Sequence, residues 1–115
     1  MDAPDPAPAA PRRTAVVGAG AVGSYYGAML ARAGKPVTLV AREAHVRAIS
    51  AHGLQLHHAG RVETVTVDAT TDAAAVRGAD LVLVCVKSTD TEALARQIAP
   101  HVDADALVLS LQNGV

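Results

Sequence analysis

Residues 13–27 read RTAVVGAGAVGSYYG, a short apolar run followed by glycines at 18, 20, 23 and 27 with few bulky side chains between them. A β-branched run that ends in glycine and opens onto a mostly apolar stretch, Ala21 to Ala33, closed by Gly34, predicts strand, tight turn and helix. In a dinucleotide-binding turn the first glycine makes the bend, the second admits the pyrophosphate to the backbone, and the third lets helix and strand pack closely. Gly18, Gly20 and Gly23 stand at those three positions, with Ala19, Ala21 and Val22 between them. The helix start then points amide groups and a positive dipole end at phosphate, so bare backbone is itself the binding group.

The rest of the chain repeats the unit. Pro36 opens VTLVA (37–41), a continuous apolar strand, and residues 42–51 read as a helix broken by Gly53. Residues 53–67, GLQLHHAGRVETVTV, alternate apolar and polar around Ala59-Gly60, which predicts a hairpin whose second arm joins the main sheet. A short helical stretch at 72–76, a buried strand at 80–86, an amphipathic helix at 91–102 and another buried strand at 106–111 follow. Strands alternating with helices imply an α/β fold: a Rossmann-like, doubly wound, mainly parallel sheet with flanking helices.

Composition narrows the function. The 115 residues carry a formal net charge of -1 and contain two tyrosines and no other aromatic residue, so neither a basic field nor stacking platforms for nucleic acid exist. The apolar run 81–86 is far shorter than the ~20 residues that cross a bilayer, which argues against a membrane protein. Cys85 is the sole cysteine, so an intramolecular disulfide is impossible and a reducing cytoplasm is expected. It falls in a buried strand, where a thiol packs as a small hydrophobe. The histidines lack helical i, i+4 pairing, and no metal site is expected. The Ala- and Pro-rich residues 1–12 read as a disordered leader, and 13–115 as one cofactor-binding domain.

Strand ends nominate the remaining candidates, because ligands of doubly wound sheets lie outside the carboxyl ends of the strands. After the second strand comes Ala41-Arg42-Glu43. NAD enzymes place a carboxylate there and NADP enzymes an arginine nearby, so Arg42 favours NADP(H) by forking onto a 2′-phosphate. A solvated helix-start residue is the alternative for Arg42, and Glu43 reads either as a ribose ligand or as a first-turn acid favoured by the helix dipole. Lys87, one of two lysines, ends the apolar run at 81–86 and is placed to meet a phosphate or a substrate carboxylate. Asn113 precedes Gly114, so a functional role and a simple turn are both open. Ser88 and Thr89 read as helix caps.

GAGAVGSYYGAMLARAGKPVTLVARE, DLVLVCVKSTDT and LSLQNGV at these spacings resemble the N-terminal NADPH-binding domain of the ketopantoate reductases, or 2-dehydropantoate 2-reductases. The resemblance implies reduction of 2-dehydropantoate, a small 2-oxo acid, by NADPH on the route to pantothenate and coenzyme A. It implies that Gly18, Gly20 and Gly23 hold the pyrophosphate and that Arg42 meets the 2′-phosphate. Lys87 would lie along the cofactor and Asn113 near the nicotinamide and substrate, making these two the catalytic candidates. The family's general-acid lysine and substrate-binding glutamate belong to a helical C-terminal domain, and no residue here matches them. The chain is therefore expected to be the cofactor half of a reductase: a fragment, a truncated gene product or one part of a split pair, inactive alone. An uncovered last strand is expected to favour self-association. A reductase of another 2-oxo acid on the same fold, or a non-catalytic NADP(H)-binding module, remain as alternatives.

Overall fold

The computed structural model of the chain describes residues 13–18, 21–85 and 88–111. The leader 1–12 lies outside them. The first strand, β1 (Thr14–Val17), is buried along its whole length and runs into helix α1 (Ala21–Arg32). Strand β2 (Val37–Val40) and helix α2 (Glu43–His52) follow, then an antiparallel hairpin of β3 (Leu54–His58) and β4 (Arg61–Val65). Strand β5 (Asp68–Thr70) leads to a 3-10 turn at Ala73–Val76, and β6 (Leu81–Val84) leads to helix α3 (Ser88–Ile98). A second 3-10 turn at Ala99–His101 precedes β7 (Leu107–Ser110).

Five of these strands form one parallel sheet in the order β5-β2-β1-β6-β7. Alternation along the central strands splits the apolar residues between two faces, as side chains of period two require. Val16, Leu39, Leu83 and Cys85 meet Ala28 of α1, Ile49 of α2 and Leu54 and Leu56 of the hairpin. Ala15, Val17, Val40, Val82 and Val84 meet Val76, Ala79 and Ile98 on the other side. Two cores on one sheet make the three-layer α/β architecture that the alternating pattern predicts.

Two expectations are corrected. The second hairpin arm does not enter the main sheet: β3 and β4 pair with each other from Leu54↔Val65 to His58↔Arg61 in a separate two-stranded sheet. The strand beside β2 is β5, three residues further on. The hairpin instead lies over α1 and is tied to it by an ion pair between Arg32 Nε and Glu63 Oε2 at 3.0 Å. A three-residue edge strand offers too short an apolar run to stand out from the alternation before it. The last strand is also not buried. Leu107, Val108 and Leu109 of β7 are 57%, 45% and 42% exposed, because β7 packs chiefly against β6 and its faces are left uncovered among the described residues, as the expectation of an uncovered last strand also had it.

The edge of the sheet away from the glycine turn is held by a polar clamp that no motif announced. Arg13 donates from its backbone amide to Asp80 Oδ1 at 3.0 Å and from Nη1 to Thr38 Oγ1 at 3.1 Å. Its Nη2 also donates to the carbonyl of Arg77. These bonds join the start of β1 to β2 and to the loop that enters β6.

Close packing of α1 depends on two glycines of unequal tolerance. A Cβ on Gly23 would stand 2.9 Å from the carbonyl oxygen of Gly18 and 3.2 Å from Cys85 Cβ and Val16 Cγ1. On Gly27 it would stand 2.7 Å from Leu39 Cδ2, a terminal methyl rather than backbone. Alanine in a helix is favoured over glycine by about 1 kcal/mol, which offsets a displaced methyl but does not move a backbone oxygen. Gly27→Ala is expected to keep a near wild-type urea midpoint, while Gly23→Ala lowers it clearly; equal midpoints would contradict this account of the packing.

Candidate functional site

The parallel ladder continues one residue past four strands and levels their carboxyl ends. Gly18 N–H donates to the Val40 carbonyl at 2.9 Å, Cys85 N–H to Val17 at 2.8 Å, Ala41 N–H to Thr70 at 3.0 Å and Leu111 N–H to Val84 at 2.8 Å. From that edge the chain leaves in opposite directions. Helix α1 carries it from β1 to β2, and α3 carries it from β6 to β7, so the connections diverge between β1 and β6. Divergence of this kind opens a crevice at the strand ends, the usual ligand site of a doubly wound sheet.

Gly18 makes the turn at the floor of that crevice with φ of 81°, a left-handed conformation that costs a side-chain-bearing residue free energy. Ala21 is the first residue of α1, whose first turn contains no acidic side chain. No acidic side chain of that turn therefore offsets the positive end of the helix. Val22 is half-buried, and buried Gly23 seats the helix on Val16 and Cys85. Ala19 and Gly20 lie outside the described residues.

Arg42 occupies the N-cap of α2 immediately beyond β2, with extended backbone at φ -70° and ψ 156°. Its carbonyl accepts from Val46 N–H at 2.9 Å. The side chain is exposed and makes no hydrogen bond or ion pair among the described residues. The neighbouring carboxylates are committed elsewhere. Glu43, the first residue of α2, pairs with Arg47 one turn along the helix. Asp72, after β5, accepts at Oδ1 from Ala74 N–H at 2.9 Å and caps the 3-10 turn. Of the two readings open for Glu43, the first-turn helix position is the one the chain adopts.

Lys87 and Asn113 lie outside the described residues, each two positions beyond a described strand end, Cys85 and Leu111. Ser88 begins α3. Sequence reasoning passed over the Glu43–Arg47 pair, although its i, i+4 spacing was a readable signal. Among the described residues no cluster of three or more His, Cys, Asp or Glu is arranged to hold a metal, and no helix is long and apolar enough to cross a membrane. A cavity of roughly 330 Å³ beside Lys35, Val37, Val67 and Asp68 opens at the other end of β2.

Cys85 bonds into the ladder beneath the turn, and burial pushes its thiol above the ordinary value of 9.0. The protonated thiol is a poor nucleophile, so this residue supports packing rather than chemistry. Below pH 9.0 the folded and unfolded thiols are both protonated; above it the unfolded chain ionises first, so stability declines as pH rises until the folded thiol also ionises. Cys85→Ala is expected to flatten that alkaline decline. An aromatic disulfide reagent at pH 8 should label the native protein slowly and the urea-unfolded protein fast, and equal rates would contradict a buried thiol.

Known proteins share this fold. A family model described as ketopantoate reductase PanE/ApbA matches residues 14–115. A 2-dehydropantoate 2-reductase of Pyrococcus abyssi is 41% identical over 101 residues, covering 87% of this chain and 32% of that protein. The crystal structure of a PanE/ApbA family ketopantoate reductase from Ralstonia eutropha JMP134 superposes with a TM-score of 0.85 at 58% identity, covering 89% of this chain and 34% of the other. D-mandelate dehydrogenase, in a ternary structure with NADH and anilino(oxo)acetate, superposes with a TM-score of 0.79 at 31% identity over 90% of this chain and 34% of its own. The chain spans about a third of the length of these relatives. With the glycine turn, the doubly wound sheet and a match over 14–115, the chain belongs to the ketopantoate reductase family.

Proposed function

We propose that this chain forms the NADPH-binding part of an oxidoreductase that reduces a small 2-oxo acid, with 2-dehydropantoate as the substrate and pantothenate synthesis in the cytoplasm as the setting. The observation that carries the coenzyme assignment is Arg42, an exposed guanidinium without a protein partner among the described residues at the end of β2. Guanidinium matches phosphate by paired N–H bonds, and nothing on the described protein surface competes for it. Gly18 fits the same ligand, since its left-handed turn leaves backbone rather than side chain at the crevice floor.

In this reading the amides of the 18–23 turn hold the pyrophosphate at the start of α1, and Arg42 holds the 2′-phosphate. Lys87 meets a cofactor phosphate or the substrate carboxylate, and Asn113 orients the nicotinamide and the carbonyl of the substrate. Bound NADPH supplies a hydride to the carbonyl carbon, and a proton must reach the carbonyl oxygen to complete the alcohol. By its place in the glycine pattern, Gly20 is the position where a side chain would compete with the pyrophosphate.

A second reading is favoured by one comparison: D-mandelate dehydrogenase, on the same fold, carries NADH with anilino(oxo)acetate. That relative supports reduction of a different 2-oxo acid and use of the unphosphorylated coenzyme. Titration calorimetry separates the two readings and needs no tryptophan, which the chain lacks. We expect folded protein, checked by circular dichroism, to bind NADPH at least ~10-fold tighter than NADH, a gap of ~1.4 kcal/mol. Arg42→Asp should erase that preference and Gly20→Val should abolish binding of both. Equal losses for both coenzymes in Arg42→Asp would defeat the 2′-phosphate role, and tighter binding of NADH would select the second reading.

A further inference from the structure

The end of β2 carries two adjacent charges with opposite consequences for a nicotinamide coenzyme. A guanidinium there attracts a 2′-phosphate, whereas a carboxylate repels it and accepts hydrogen bonds from ribose hydroxyls instead. Arg42 and Glu43 supply both, so preference depends on which side chain is available and which is held.

The structure holds the carboxylate. Glu43 Oε1 accepts from Arg47 Nη2 across one turn of α2. Glutamate N-terminal to a cation at i+4 is the better of the two orientations for such a pair. The contact engages the carboxylate with a cation one turn along α2 and offsets part of its charge. Asp72, after neighbouring β5, spends its own carboxylate on Ala74 N–H. Among the described residues, Arg42 is thereby the uncommitted charge where β2 ends.

We propose that Arg47 is a positioning residue for coenzyme selection, favouring NADPH by keeping Glu43 off the ribose site while making no contact with the coenzyme itself. The inference rests on the assignment of Arg42 to the 2′-phosphate. Both partners are largely exposed, with side chains 69% and 77% accessible for Glu43 and Arg47, so the effect is bounded by what an exposed pair contributes. Removing Arg47 is expected to lower the ratio of NADH to NADPH dissociation constants about two- to threefold.

The test is a double-mutant cycle on the full chain, with both dissociation constants measured by calorimetry for wild type, Arg47→Ala, Glu43→Gln and the double variant. Alanine is a strong helix former and both sites are exposed, so the variants should fold, as circular dichroism would verify. The ratio should fall in Arg47→Ala and return to the Glu43→Gln value in the double variant, because the carboxylate is then absent. A ratio that drops by the same factor in the Glu43→Gln background would overturn the proposal, since Arg47 would then act directly as a cation. An unchanged ratio in Arg47→Ala beside a collapsed one in Arg42→Asp would overturn it while sparing the coenzyme assignment. If Arg42→Asp also leaves the ratio unchanged, both fall.

Discussion

Everything at the candidate site depends on how closely α1 approaches the sheet. Gly23 lets the helix sit where a Cβ would press on the Gly18 carbonyl, and that seat fixes the helix axis relative to the ends of β1 and β6. A helix held further out would carry its N-terminal amides away from the crevice. Phosphate recognition by backbone is unforgiving in this respect, since amides cannot reach as a lysine side chain does. Cys85 joins the same contact from the β6 side, which explains a small, protonated, apolar-like side chain at that point.

The polar contacts divide by edge. At the amino ends of the strands Arg13 ties β1, β2 and the loop before β6, while Gly78 N–H donates to Asp103 Oδ1 and Arg77 bonds His101 in the same region. These groups are consumed by structure. At the carboxyl ends the ladder supplies regularity, the carboxylates of Glu43 and Asp72 are occupied, and Arg42 is left without a protein partner among the described residues. One edge of the sheet is spent on cohesion and the other keeps capacity for a ligand.

Much of this was legible in the sequence, for identifiable reasons. Continuous apolar runs at β1, β2 and β6 announce strands buried on both faces, and the glycines at 18, 34 and 53 mark element ends where φ is positive. The Ala59-Gly60 turn fixed the hairpin, since both residues take positive φ. The pattern could not say where β4 went, because pairing partners are tertiary and period two is the same in either sheet. Nor could apolar content place β7, whose leucines and valine look as buried as those of β6 until the strand order makes β7 an edge. Arg13 carries no local signature at all: its role arises from Thr38 and Asp80, which the fold alone brings near. At the candidate site, the sequence already puts Gly18 after β1 and Arg42 after β2, while the restraint on Glu43 needed side-chain geometry.

The strand order also governs how the molecule must assemble. β1 is made first yet stands in the middle, with Thr14 beside Val37 on one side and Leu81 on the other. Its first neighbour arrives after one helix; its second arrives only after the hairpin, β5 and a 3-10 turn have been synthesised. Until then the apolar flank of β1 is an open template, the kind of distant pairing that slows folding and invites chaperone capture on the ribosome. The same central placement that puts β1 at the crevice thus leaves one side of it unpaired until β6 has been made.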